Sequence, residues 1–254
     1  MDNRYSDWNA TTVVFNDVDN TPESVANPWA SLPREPDFVL PEDEAAVRFF
    51  NDKKGSQHDH FLHIDKILPE AFVGARDAPV VLLSNNPGFG SGAPAKENQS
   101  FKDRMRSNLL HEASDYPFVF LDPKFSGLGK KWWATKLKEV IEAFENDEKA
   151  TSIVARSILN VPYFPYPSRK FGHRRLRLPS QEYSFGLIRR AIKRGAVIVF
   201  MRREKMWMEA VPELKGYTNL TRVGNKQNPT ISRRNCEGFE KVVQAIRISE
   251  GNGR

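Results

Sequence analysis

Residues 78–90 read APVVLLSNNPGFG, and this stretch decides the fold class. Residues 78–84 form a continuous apolar run that ends in a serine, which is typical of a strand buried on both faces of a parallel sheet. Pro87 and Gly88 predict a sharp turn directly after the strand. Asn85 and Asn86 therefore lie at the carboxyl end of a buried strand, where open α/β sheets bind their ligands. The alternative is an ordinary strand-to-loop turn, in which Asn-Pro-Gly is common.

Further apolar runs follow this strand and predict the rest of a sheet. They cover residues 118–121, 157–161, 196–201 and 220–223. Because helical patterns separate these runs, the sheet is expected to be mostly parallel and to be covered by helices on both sides. The fold class is therefore α/β.

The helical patterns have recognisable starts and ends. The first predicted helix starts at Pro41 and has acidic residues in its first turn. Apolar spacing predicts a second helix that contains Phe101, Met105 and Leu109 and a third that contains Trp133 and Leu137. A fourth helix is predicted from a Ser180 cap to Arg194, and a fifth from an Asn235 cap onwards. Gly195, just beyond the fourth helix, is typical of a glycine that ends a helix.

Length and composition limit the classes of protein. The chain has 254 residues, 39% of them hydrophobic and 28% charged, which suits one globular domain with an arm. The single cysteine, Cys236, excludes a disulfide framework, a four-cysteine zinc site and a cysteine-ligated iron–sulfur cluster. The sequence contains no uninterrupted apolar run of about 18 residues and no leader pattern, so we expect a cytoplasmic protein without a membrane partner. We also expect it to be a monomer.

Charge divides the chain into an acidic arm and a basic body. Residues 1–47 hold ten acidic and two basic residues, a net charge of −8. Because the whole chain carries a net charge of +6, the other 207 residues carry +14. Residues 1–41 also contain five prolines and no periodicity; we interpret them as an extended or partly disordered arm and residues 42–254 as one domain. Trp8, Phe15, Trp29 and Phe38 are candidates to pin the arm to the domain. The basic body favours a polyanionic partner, or alternatively serves solubility alone.

Two other predicted strand ends are rich in polar and aromatic side chains. Residues 157–168 read SILNVPYFPYPS, where Asn160 offers an amide that can read a donor and an acceptor on a planar ligand. Residues 225–235 read NKQNPTISRRN, a loop of hydroxyl and guanidinium groups beside the last helix and a candidate phosphate site. The alternatives are a proline-stiffened hydrophobic loop and a solvated basic loop.

Together and in this order, the three segments resemble the uracil-DNA glycosylase superfamily. SNNPG at 84–88 is similar to its first motif, especially to the Asn-Pro-Gly form of the mismatch-specific branch. LN at 159–160 is similar to a middle strand whose asparagine reads the base, and NPTIS at 228–232 is similar to the motif of the DNA-engaging loop. The resemblance covers roughly residues 66–248 and implies a three-layer α/β/α sandwich with a short, mostly parallel central sheet.

The resemblance implies a DNA base-excision glycosylase, which hydrolyses the N-glycosidic bond of uracil or of another deaminated or mismatched base flipped into a cleft at the strand ends. Its catalytic residues would be Asn86, which orients the water, and Asn228, which donates to the departing base. Ile231 would enter the gap in the DNA, and Thr230 and Ser232 would contact phosphates. The residues expected to bind the base are Asn85, Pro87, Gly88, Phe89, Phe118, Phe120 and Asn160.

A basic segment follows the Asn160 strand and extends the predicted DNA surface. Residues 169–177 read RKFGHRRLR. Arg169, Lys170, Arg174 and Arg175, together with Arg233, are predicted to contact single- or double-stranded DNA. The alternative is an ordinary solvated face.

Two other functions stay open: a catalytically inactive nucleic-acid-binding protein on the same fold, and a small-molecule or nucleotide hydrolase that uses the same cleft. No metal and no cofactor is expected. The run that contains His58, His60 and His63 is interpreted as a polar surface loop. Trp132 and Trp133 are interpreted as one surface and one core residue rather than as a platform for a ligand.

Overall fold

A five-stranded, mostly parallel sheet forms the centre of the fold. The computed structural model describes residues 26–90, 99–144 and 149–252. Within them the strands are β1 (Val73–Gly74), β2 (Val80–Ser84), β3 (Ile158–Pro162), β4 (Val197–Phe200) and β5 (Leu220–Arg222). The order across the sheet is β1-β3-β2-β4-β5, and only the pairing of β1 with β3 is antiparallel. The predicted α/β class with a mostly parallel sheet is confirmed.

Helices connect and cover the strands. In the described ranges they are α1 (Pro41–Lys54), α2 (Gln99–Leu109), α3 (Leu128–Glu142), α4 (Ala150–Ser157), α5 (Gln181–Lys193), α6 (Glu204–Ala210) and α7 (Phe239–Asn252). α7 packs against β2 and β4, and α4 contacts both α3 and α7. This arrangement is compatible with a three-layer sandwich. None of the helices in these ranges has the length and apolarity needed to cross a membrane.

Four of the five predicted strands are confirmed. The strands predicted at 78–84, 157–161, 196–201 and 220–223 are confirmed to within two residues, and β3 and β4 are buried at every position. The strand predicted at 118–121 is wrong, because Val119–Leu121 forms a 3₁₀ helix in which Leu121 N donates to Phe118 O at 2.9 Å. A short apolar run is buried in either conformation, so its pattern cannot distinguish a strand from a helical turn.

Two predicted helix caps are wrong. Ser180 has helical dihedral angles and makes no capping hydrogen bond, so α5 begins at Gln181 without it. α7 begins only at Phe239, and the side chain of Asn235 is used inside the preceding loop. The predicted glycine beyond α5 is confirmed, since Gly195 has a φ of 75°.

Residues 26–40 pack into the hydrophobic core. Of the aromatic residues expected to pin the arm, Trp29 and Phe38 are buried in the core, whereas Trp8 and Phe15 lie outside the described residues. Leu40 N donates to the Tyr166 hydroxyl at 3.1 Å. That hydroxyl in turn donates to Asp43 Oδ2 in α1 at 2.7 Å. This segment is therefore tied to the loop that follows β3.

The short strand β1 occupies the outer edge of β3. Gly74 pairs with Leu159 and has a φ of 122°. A Cβ atom at Gly74 would lie 2.0 Å from Ile158 O, so only glycine allows the two backbones to come this close.

Candidate functional site

A cleft of about 360 Å³ opens at the carboxyl ends of β2, β3 and β4. β2 leads to β3 on one side of the sheet and β4 leads to β5 on the other, so the cleft lies where the connections diverge. Open α/β sheets bind ligands at such a position, and the volume is typical of small-molecule sites. The predicted site residues that line it are Asn85, Asn86, Pro87, Gly88, Phe89, Phe120, Asn160 and Arg169.

Asn86 presents its amide oxygen while its amide nitrogen is held in place. Nδ2 donates to Pro87 O at 2.8 Å and to Ser168 Oγ at 2.9 Å. The Pro87 carbonyl can only accept, and the Ser168 hydroxyl gives its own proton to Lys170 O at 3.0 Å. The nitrogen must therefore face both partners, which leaves Oδ1 to accept a hydrogen bond from a water or a ligand. Sequence reasoning missed the role of Ser168.

Asn85 and Asn160 are buried, and within the described ranges the amide oxygen of each lacks a hydrogen-bond partner. Leaving a buried polar group without a partner costs about 1–3 kcal/mol, which a ligand with N–H groups offsets. The backbone around them is rigid, because Phe164 N donates to Asn85 O at 2.8 Å and Asn160 pairs with Leu82 of β2. Two amides fixed in one cleft can read the polar edge of a planar ligand.

Aromatic side chains supply flat faces on the α3 side of the cleft. Phe120, Trp132 and Trp133 line it, and the two indole rings stand perpendicular with centroids 4.6 Å apart. Trp133 is 5% exposed and Trp132 is 38% exposed, which confirms the interpretation as core and surface residues. Both residues also line the cleft. Leu128, which is 50% exposed, also lines the cleft.

Phe118 and His63 differ from their predicted positions. Phe118 is completely buried and packs edge-on against Trp133 at 4.9 Å, outside the lining of the cleft, so it is not a base-binding residue. His63 is also buried, not part of a polar surface loop, and it stacks on Phe89 at 3.5 Å. Burial, and then the charge of Lys66, lower the pKa of His63. The imidazole ring of His63 therefore supports one face of the Phe89 ring.

The loop 225–235 is closed on itself through the Asn235 side chain. Asn235 Oδ1 accepts from Asn225 N at 2.7 Å, and its Nδ2 donates to the carbonyl oxygens of Asn228 at 3.3 Å and Thr230 at 2.9 Å. Thr230 Oγ1 and Ser232 Oγ lie 3.3 Å apart, and Ser232 is buried. The hydroxyl groups predicted to contact phosphates are thus bonded within the loop.

The structure places two other residues of this loop away from the positions that their predicted roles require. Ile231 is 1% exposed, so its side chain cannot enter a gap in DNA. Asn228 is exposed and does not line the cleft, and its Oδ1 accepts from Lys136 Nζ at 2.5 Å. Arg233 is engaged at the surface, 4.0 Å from a Glu139 oxygen and 3.5 Å from a Glu240 oxygen.

Positive charge surrounds the cleft. Arg169 and Arg202 line it, and Lys136 Nζ lies 5.0 Å from the centroid of the Trp132 ring. Among the described residues, Glu70 is the only carboxylate in the lining. Of the other predicted DNA contacts, Lys170 forms an ion pair with Asp59 at 2.6 Å, and Arg174 and Arg175 are exposed outside the cleft. The charge balance suits an anionic ligand.

Glu70, Lys136 and Arg202 are residues that sequence reasoning missed. They come from the segment before β1, from α3 and from the end of β4, and none stands in a local motif. Within the described ranges, no group of three or more His, Cys, Asp or Glu side chains is arranged to hold a metal ion.

Comparisons with known protein families, with curated proteins and with solved structures find no match to this chain. Its function is therefore inferred from the cleft and its residues.

Proposed function

We propose that the protein is a DNA base-excision glycosylase on a glycosylase-like α/β/α sandwich. The observation that carries the proposal is that Asn85 and Asn160 both line a cleft with aromatic walls, while the buried amide oxygen of each has no hydrogen-bond partner among the described residues. A nucleobase offers N–H groups at its edge and flat faces for stacking, so it matches both features. The free amide oxygen of Asn86 lies at the same strand end and supports hydrolysis at that base.

Asn86 orients the attacking water through Oδ1. The water oxygen bonds to C1′ of the sugar as the bond between C1′ and the base nitrogen breaks, and the electron pair of that bond leaves with the base. The water proton passes to Glu70, the carboxylate of the cleft, or to solvent. Arg169 and Arg202 favour the anionic base because positive charge fixed beside a developing anion stabilises it. Since an amide is a weak base, the reaction is expected to be slow.

The rim of the cleft favours an unpaired nucleotide. Ile231 is buried, so the 225–235 loop supplies no apolar wedge to replace a flipped base. The exposed apolar side chains at the rim are Leu128 and Trp132, which offer a stacking surface. Extracting a base from a duplex costs a few kcal/mol, which a single strand avoids. We therefore expect single-stranded DNA to be the better substrate.

Single-turnover cleavage of labelled oligonucleotides tests the proposal. The substrates carry uracil, hypoxanthine, xanthine or a G·T mismatch, in single strands or duplexes as appropriate. We expect alkali-sensitive abasic sites, formed faster in single strands, and no product from Asn86→Ala within the time that the wild type needs to complete the reaction. No abasic product on any substrate at high enzyme excess would overturn the proposal.

A hydrolase of free nucleotides is the second candidate. The absence of an exposed wedge in the 225–235 loop favours it, because such an enzyme has no DNA stack to fill. It predicts release of free base from deoxynucleosides or their monophosphates, detected by chromatography, and no abasic sites in oligonucleotides.

A further inference from the structure

Two cations at the rim of the cleft are anchored on consecutive residues of one loop. Arg202, which follows β4 and lines the cleft, donates from Nη2 to Gln227 O at 3.2 Å. Lys136 of α3 donates from Nζ to Asn228 Oδ1 at 2.5 Å. Pro229, the next residue of the loop, lines the cleft. Side chains from separate elements thus converge at one point of the rim.

Both cations contact neutral oxygens and no carboxylate among the described residues. Lys136 is 6% exposed, and Arg202 Nε is buried without a hydrogen-bond partner. Burial, and then repulsion by the charge of Arg202, lower the pKa of Lys136. Arg233, in the same loop, instead forms ion pairs with Glu139 and Glu240.

We propose that Lys136 and Arg202 form a phosphate-binding site at the rim, which takes the phosphate of the nucleotide whose base occupies the cleft. A bound phosphate would neutralise the repulsion and give the buried Arg202 Nε a partner. A guanidinium binds two phosphate oxygens at once, whereas an ammonium acts as a point charge, so the two groups complement each other. The placement of the base rests on the proposed function. A phosphodiester of DNA and the terminal phosphate of a free nucleotide share this chemistry.

Binding of a single-stranded oligonucleotide tests the site without cleavage. The oligonucleotide carries one 2′-fluorinated deoxyuridine, which resists hydrolysis, and in two derivatives a neutral methylphosphonate replaces the phosphate on its 5′ or 3′ side. Fluorescence anisotropy gives Kd. We expect one derivative to bind the wild type about tenfold more weakly. Lys136→Gln and Arg202→Gln should each bind the unmodified oligonucleotide about tenfold more weakly than the wild type does. Each variant should then bind the methylphosphonate derivative only a little more weakly than it binds the unmodified oligonucleotide. Each variant should also reduce the slope of log K against log salt by about 0.7.

Matched variants separate this site from general charge and from misfolding. Lys241→Gln removes one exposed charge from α7, beside the amino ends of β2 and β4 and outside the lining of the cleft, and should bind every probe like the wild type. Lys136→Arg keeps the charge and should still bind the methylphosphonate derivative more weakly than the unmodified oligonucleotide. A merely structural role of Lys136 would not explain that retained preference.

Calorimetry with deoxyuridine and its 5′-monophosphate distinguishes the two sources of phosphate. A preference for the monophosphate that Lys136→Gln abolishes, with no methylphosphonate effect, assigns the site to free nucleotides. The site is disproved if both glutamine variants bind all probes as tightly as the wild type does. It is also disproved if the methylphosphonate lowers the affinity of the variants by the same factor as that of the wild type. Phosphate discrimination without any abasic product would instead overturn only the glycosylase proposal.

Discussion

The turn at 84–90 and the loop at 225–235 are both polar segments that contain Asn-Pro and follow a strand, yet they use their side chains in opposite ways. Around the turn, Asn86 keeps a free amide oxygen, and Asn85 has a buried amide oxygen without a partner. In the loop, Asn235 bonds to three other residues of the same loop. Both segments contain Asn-Pro, so this motif alone does not predict which amide groups stay available to a ligand; the contacts that the fold provides decide it.

Asn86→Ala against Asn228→Ala is the strongest test of this contrast. In the proposed mechanism Asn86 Oδ1 holds the water, so its loss should slow single-turnover excision by roughly 10²–10³-fold, the range seen for groups positioned in the transition state. Asn228 is exposed and outside the cleft, so its variant should slow excision no more than about tenfold, through the release of Lys136. Equal losses in the two variants would show that both segments contribute to catalysis.

His173 tests whether a polar group without a partner also marks function away from the cleft. Both ring nitrogens are buried without partners, and the ring lies 4.1 Å from that of Phe164. Burial lowers the pKa of His173 to about 3 and that of His111 to about 4, below their ordinary value of 6.5. Between these values the unfolded chain binds more protons, so stability should fall as pH drops from 6.5 towards 4, by up to about 1.4 kcal/mol per pH unit for each histidine.

Urea unfolding at pH 7, 6, 5 and 4 measures this dependence. His173→Phe should remove the part of the slope below pH 6 that His173 contributes, up to about 1.4 kcal/mol per pH unit, and leave excision unchanged, because the ring does not line the cleft. An unchanged slope in the variant would show that His173 is not protonated on unfolding, and lost excision would extend the site behind the cleft.

Asn235→Ala should affect stability rather than chemistry. Its side chain joins Asn225, Asn228 and Thr230, so its removal should lower the free energy of unfolding by about 2 kcal/mol at a typical 0.5–1.5 kcal/mol for each net hydrogen bond. Thermal denaturation and single-turnover excision at low temperature separate the two effects. A large loss of rate with an unchanged melting temperature would reverse the assignment of the loop as structural.

Asn160→Ala, in contrast to Asn235→Ala, should change base recognition and leave the free energy of unfolding nearly unchanged. Its buried amide oxygen has no partner, so its removal should change the free energy of unfolding by less than about 1 kcal/mol. Discrimination between bases should fall by about tenfold, since one base-reading amide is lost. Competition between uracil and hypoxanthine substrates measures this change. A strongly destabilised variant would mean that the amide mainly supports β3.

The strands β2 to β5 and the Asn85–Asn86 part of the cleft could be predicted from the sequence because each rests on a local pattern, whereas the two-residue strand β1 was missed. An apolar run buried on both faces predicts a strand of a parallel sheet, and polar residues directly after it must lie at the sheet edge. The run at 118–121 has the same composition and forms a 3₁₀ helix, since burial selects apolar residues in any conformation. Composition therefore predicts that a segment is buried more reliably than it predicts the backbone conformation.

The rest of the candidate site depends on long-range packing. Glu70, Arg202 and the Trp132 ring meet in the cleft from distant parts of the chain, and no spacing connects them. Ile231 shows the converse, because an isoleucine between polar neighbours reads as exposed but is buried in the core. Which side of a loop faces solvent is decided by the elements that pack against it.

The two-residue strand β1 has a consequence for the behaviour of the chain at high concentration. β3 would otherwise present backbone N–H and C=O groups along an open edge, a template on which another copy could add a strand. Gly74 permits the close pairing that covers this edge, since any side chain there would collide with Ile158 O. Replacing Gly74 would thus do more than weaken the fold, because it would expose an apolar strand to self-association and aggregation.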